Sequence, residues 1–96
     1  MALLSTPVSA ADPVAGQAKA QMCVVCHGPI GVSSRPDAPH IAGHAEIYTV
    51  AQLRAYRSGS RQHALMNVIA KPLSDDDIAN LAAWYASIRI EAHAPR

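Results

Sequence analysis

The sequence predicts an all-α fold of three main helices plus short helical turns, and three observations carry that prediction. Apolar residues recur at helical spacing in two segments, Ile47, Val50, Ala51, Leu53 and then Ile78, Leu81, Tyr85, Ile88. Helix punctuation flanks the candidate segments, with Asp12 before Pro13, Gly59 after the first periodic run, and Ser74 ahead of Asp77 before the second. Nothing reads as a strand, and there is no internal repeat.

Taken in order, Asp12 reads as an N-cap and Pro13 as the first helical residue, where its missing N–H costs nothing. The first helix then runs to about Val25 through alanine-rich, helix-favouring sequence. Gly16 and Ala20 share one face of it, so another helix can approach closely there. From Gly28 to Gly43 the chain holds three Gly and three Pro, with Ser33, Ser34 and Asp37 between them, which predicts an irregular loop. Loops of this length usually serve a function. A second helix spans His44 to Ser58, with Gly59 where a C-terminal cap belongs. Ser60 to Pro72 is mixed, and its apolar stretch Leu65 to Ala70 fits a short helical turn ended by Pro72. Ser74 and Asp77 form a capping box that opens the last helix.

Cys23, Val24, Val25, Cys26 and His27 spell CxxCH, the pattern of covalent c-type haem attachment. Its spacing has a mechanical reason. Two thiols on one turn of helix can each add to a haem vinyl group, while the adjacent imidazole lies beneath the iron as its proximal ligand. A bare CxxC would also suit a thioredoxin-like site or half of a zinc site. The first needs a βαβ surrounding, which is missing, and the second needs further ligand pairs. No second CxxC exists, and His40, His44, His63 and His93 are scattered.

Composition agrees with the motif. Ninety-six residues suit one domain, and the apolar half of the chain is short of bulk: 19 residues are Ala, Phe is absent, and Trp84, Tyr48, Tyr56 and Tyr85 are the only aromatics. A haem buried among Leu, Ile and Val would supply that bulk, and the haem-free chain is therefore expected to fold poorly. The net charge of +1, which two haem propionates would shift to about −1, comes with no basic stripe and argues against a nucleic-acid partner. Asp75, Asp76 and Asp77 read as acids complementing a helix N-terminus. No stretch approaches the roughly 20 apolar residues of a membrane span. Residues 1–11 read as a leader remnant or flexible arm, since Pro7 to Ala11 resembles a signal-peptidase site with cleavage after Ala10, although no basic residue precedes it.

Three stretches together, Cys23 to Gly28, Ala38 to Gly43 (APHIAG), and Met66 through Leu73, Ser74, Asp75, Asp77 and Ile78 to Ala83, Trp84 and Tyr85, resemble the class I c-type cytochromes. The resemblance covers about Asp12 to Ile90. It is to the small bacterial periplasmic mono-haem type, similar to one half of tandem dihaem cytochromes. It implies a small cytochrome c fold over residues 12–96, wrapped around one covalently attached haem c. Cys23 and Cys26 then form the thioether bonds and His27 the proximal iron bond. Met66 is the distal ligand, with His63 as its rival. The Pro39 carbonyl accepts the second ring proton of His27. Tyr48, Gln52, Arg57 and Arg61 lie where related domains place propionate donors, Arg57 and Arg61 reading equally as solvated surface charges, and Arg35 in the loop is a further candidate. The family crosses its first and last helices, here Gly16 and Ala20 against Trp84 or Tyr85.

The implied function is one-electron transfer between periplasmic redox partners, a dehydrogenase, oxidase or reductase, by a monomer or a subunit of a larger complex. Val24, Val25, Pro29 and Ile30 are either the apolar rim of the docking surface or local packing. Two other readings stay open. One is a haem enzyme or gas-binding module with a displaceable sixth ligand, and the other a bound electron-transfer subunit of a dehydrogenase.

Overall fold

The computed structural model describes residues 11–95, so the cleavage-like segment Pro7 to Ala10 lies outside the described residues. Five helices follow one another: α1 Pro13–Lys19, α2 Gln21–His27, α3 Glu46–Ser58, α4 Ala64–Ala70 and α5 Asp75–Ser87. There is no strand among the described residues, and none of their helices is long and apolar enough to cross a membrane.

The start of α1 is as the sequence predicts: the Asp12 side chain accepts the Val14 N–H at 2.9 Å and Pro13 opens the helix. The expected single helix to Val25 is instead two. Ala20, at φ −69° and ψ −5°, closes α1 and opens α2. Its carbonyl accepts Cys23 N–H at 2.8 Å and Val24 N–H at 3.2 Å, a tightened turn that redirects the chain. No Gly or Pro marks the break. Its cause is tertiary: Ala20 is pinned in the core with Leu81 and Tyr85, and α2 leaves that core with no buried residue of its own. The attachment motif thus rides on a helix that touches the core through Cys23 and has no fully buried residue.

The last helix is the scaffold. Ser74 and Asp77 make both bonds of the capping box, Ser74 N–H to Asp77 Oδ2 and Asp77 N–H to Ser74 Oγ, each 3.0 Å. Ile78, Leu81, Ala82 and Tyr85 form its buried stripe at positions i, i+3, i+4 and i+7. Ile88, the expected end of that stripe, is the cap residue and has left helical geometry. Against α5 packs α1, at Gly16. A Cβ there would overlap the Asn80 carbonyl and stand 2.9 Å from Trp84 Cβ, so the two backbones touch where only glycine fits. The crossing falls at Gly16 against Trp84 as expected, with Asn80 as an added partner. Its side chain accepts the Asp12 N–H at 2.8 Å. Ala20 and Leu73 complete a small core with Ala70, Ile78, Leu81 and Tyr85.

α3 begins at Glu46, two residues later than the periodicity suggests, and ends on Gly59 in the left-handed conformation. The mixed segment after it resolves into α4, a two-turn helix carrying Met66 and followed by Pro72.

Candidate haem site

α2 ends at Gly28, and the chain turns back over it as the 28–43 loop. Gly31 is the pivot of that loop. It has φ +83°, a Cβ on it would lie 2.7 Å from the Tyr85 ring, and its carbonyl accepts both Ile41 N–H at 2.8 Å and Ala42 N–H at 3.1 Å. Gly43 N–H donates to the Tyr85 carbonyl at 2.9 Å, fastening the loop to the end of α5. This closure delivers Pro39 to the imidazole. His27 Nδ1 lies 2.8 Å from the Pro39 carbonyl oxygen, the contact the resemblance implies. A carbonyl only accepts, so Nδ1 carries a proton, and in the neutral imidazole Nε2 then keeps the lone pair a metal requires.

The two cysteines are in different surroundings. Cys23 is packed beside the core, and burial pushes its thiol up. The Tyr85 hydroxyl faces it, and that hydroxyl is itself buried without an aligned partner. Cys26 lies at the loop side, with Arg35 Nη1 3.4 Å from its sulfur. Arg35 is clamped by Asp37 through Nε at 3.0 Å and Nη2 at 2.8 Å, and this holds the Asp37 carboxyl below its usual range. Ser33 Oγ donates to the Cys26 carbonyl at 3.2 Å, and Ser33 N–H to His40 Nδ1 at 2.8 Å. Arg35 is therefore tied to the motif.

The candidate distal residues are on and beside α4. Met66 is half-buried in its first turn. His63, the rival ligand, is the helix N-cap, and its Nδ1 accepts the Met66 N–H at 3.2 Å. Met66 and His63 are thus neighbours through backbone geometry.

The four expected propionate donors separate. Tyr48 is half-exposed and packs tilted against His44, with 5.0 Å between ring centroids. Arg61 donates through Nη1 to Gln52 Oε1 at 2.6 Å and lies over the Tyr56 ring at 4.7 Å. Arg57 points elsewhere: its guanidinium donates to the Leu73 carbonyl at 3.0 Å and to Asp75 Oδ1 at 2.7 Å, joining α3 to the start of α5. That tie lowers the Asp75 carboxyl.

Sequence reasoning missed Asn67. Its side-chain nitrogen donates to the Tyr56 carbonyl at 2.8 Å and the Arg61 carbonyl at 2.9 Å, while its oxygen accepts the His63 N–H at 2.8 Å. The available signal was a polar residue of poor helix propensity directly after Met66 in an otherwise apolar run.

The donor set suits haem c: two sulfurs one helical turn apart, an imidazole with its far nitrogen free, and a thioether on a separate short helix. Apolar side chains on the surrounding elements also remain exposed, among them Ile30 and Val32 in the loop, Ile47 on α3, and Leu65 and Val68 on α4. Residues 13–89 match the cytochrome c family.

The chain belongs to the cytochrome c family.

Its relatives place it among the class I c-type cytochromes. It is 42% identical over 81 residues to cytochrome c-554(548) of Halomonas halodenitrificans, covering 81% of this chain and 98% of that one. Among solved structures it is similar to reduced recombinant cytochrome c4 from Pseudomonas stutzeri, with a TM-score of 0.78 and 36% identity over 83% of this chain and 47% of that one. It is also similar to a thiosulfate dehydrogenase from Marichromatium purpuratum, with a TM-score of 0.76 and 35% identity over 88% of this chain. There it spans only 21% of the partner structure. The chain thus spans nearly all of the c-554(548) relative and about half the length of the c4 structure. Family membership brings covalently attached haem c as the cofactor, and electron transfer is the work of its relatives.

Proposed function

We propose that this cytochrome is a one-electron carrier whose haem c is joined through Cys23 and Cys26 and held between His27 and Met66. The observation that carries the reading is the 2.8 Å contact between His27 Nδ1 and the Pro39 carbonyl, which orients the imidazole and places a proton on Nδ1, the tautomer that leaves Nε2 for a metal. When bound, the haem supplies a ferric/ferrous couple. Every other contribution is the chain's. His27 is oriented by the 28–43 loop, and the Met66 thioether is the soft ligand that favours ferrous iron and raises the potential. With both in place no position is left for a substrate, and the reading assigns the chain no catalysis. Tyr48, Gln52 and Arg61 are proposed as propionate donors, and Arg57 as a brace that keeps α3 and α5 at the spacing those donors need.

Val25 is 77% exposed and Ile30 46% exposed, so the outward face of the motif offers the apolar rim of a small docking surface. Contact there would bury less than about 1,200 Å², as short-lived redox encounters do. The partners proposed are periplasmic dehydrogenases, oxidases or reductases. A second reading, an electron-transfer domain working inside a larger dehydrogenase assembly, draws support from the likeness to part of the thiosulfate dehydrogenase structure. Mixing the ferrous holoprotein with carbon monoxide tests the closed site. Negligible or very slow binding is expected, and rapid stoichiometric binding would replace the carrier reading with a gas-binding or catalytic one.

A further inference from the structure

We infer that Asn67 is the positioning residue that holds Met66 on the iron, an inference that rests on the His27 and Met66 reading above. Its carboxamide answers three backbone groups that helix ends leave unpaired. The Tyr56 carbonyl is in the last turn of α3, the Arg61 carbonyl is in the turn after it, and the His63 N–H is the cap of α4. Both amide hydrogens and the amide oxygen are used, and the orientation is fixed, because reversing the amide would set donor against donor. One side chain therefore closes the connection from α3 to α4 upon itself.

Met66 is the residue immediately before Asn67, in the same turn, with its own N–H on His63 Nδ1. The backbone of Met66 cannot swing away from α3 without breaking the Asn67 bonds. At the far end of α4, Arg57 holds the Leu73 carbonyl at 3.0 Å, so the strap that presents the sulfur is clipped to α3 on both sides. Arg57 is exchangeable in this role, because it grips a chain already anchored by buried Leu73. At the Met66 end the described residues hold no such apolar anchor: Leu65 is 50% exposed and Val68 67% exposed. Asn67 supplies the restraint there.

An external ligand reaches the iron only when the sulfur has left it, so its apparent affinity scales with the fraction of open strap. Loss of the clip raises that fraction. The test is imidazole titration of the ferric holoprotein, following the far-red sulfur-to-iron band, for wild type, Asn67→Ala, Asn67→Ser, Met66→Ala and Ile78→Val. The expected result is tighter imidazole binding by about tenfold or more in Asn67→Ala, moving toward Met66→Ala, with the band still present before titration. Ile78→Val, which loosens the core shared with Ala70 at the far end of α4 and leaves the Asn67 bonds intact, should bind imidazole as wild type does. Asn67→Ser, which retains a hydroxyl for the His63 N–H, should fall between and serves if Asn67→Ala does not assemble. Wild-type imidazole affinity in an Asn67 variant, or an equal gain in Ile78→Val, would overturn the proposal. A wild type that lacks the band and binds imidazole as Met66→Ala does would instead overturn the ligation reading beneath it.

Discussion

On the attachment side of the haem, Cys23, Cys26 and His27 sit within one seven-residue helix, and the loop that orients the imidazole is fastened by backbone bonds to Gly31 and to the end of α5. The proposed distal residue, Met66, stands on another seven-residue helix whose ends are held back to α3 by the side chains of Asn67 and Arg57. The first arm is short in sequence, covalent in chemistry and braced by the core. The second spans the chain from Gly59 to Leu73 and depends on polar clips. The difference teaches where the proposed site is committed and where it can open: on the ligation proposed above, His27 is held by a loop fastened through backbone bonds, whereas Met66 is held by one strap of side-chain clips.

Breaking the committed arm should have the largest effect. In a double variant, Cys23→Ala with Cys26→Ala, haem should no longer survive denaturing electrophoresis or acid extraction bound to the chain. Retention of covalent haem would contradict the attachment assigned to this pair.

Next in size is the helix crossing that supports the same arm from behind. Gly16→Val drives a branched side chain into the Asn80 carbonyl and Trp84, and overpacking of this kind costs about 1–3 kcal/mol. Thermal melting of the holoprotein should show the loss, with the reduced spectrum of the remaining folded fraction unchanged.

A smaller effect comes from the cap of α5. Ser74→Ala removes the acceptor of the Asp77 N–H and should cost about 1 kcal/mol in a denaturant titration. Asp77 itself sets an acid limb. The Ser74 N–H bond holds its folded carboxyl below the usual range, so the stability it brings is complete above an unfolded pKa of about 3.9 and is lost as pH falls through the lower folded value. Asp77→Asn should flatten that part of the stability profile below about pH 4, and an unchanged profile would remove Asp77 as a contributor.

The smallest effect is expected at Lys19. It lies 3.6 Å from Asp77 with its side chain 44% exposed, so Lys19→Ala should change stability by less than about 1 kcal/mol, less still at high salt.

The attachment arm was legible in the sequence because its chemistry is local. CxxCH is contiguous, and the caps at Asp12, Ser74 and Gly59 act within three or four residues. The features that escaped are all set by contacts distant along the chain. The break at Ala20 follows from its burial against α5, and no turn residue announces it. Arg57 reads as a solvated or propionate-facing charge until Leu73 and Asp75 are seen beside it. Asn67 reads as an ordinary polar helix residue until the folded chain brings it the carbonyl of Tyr56, eleven positions earlier.

The central claim, that His27 and Met66 close the iron between them, is tested most directly by the visible spectrum of the holoprotein, oxidised and reduced, beside Met66→Ala. Sharp low-spin reduced bands and a far-red sulfur-to-iron band in the wild type, with that band lost in the variant, are the predicted result. A high-spin wild type, or a variant whose spectrum matches it, would take Met66 off the iron and contradict the account.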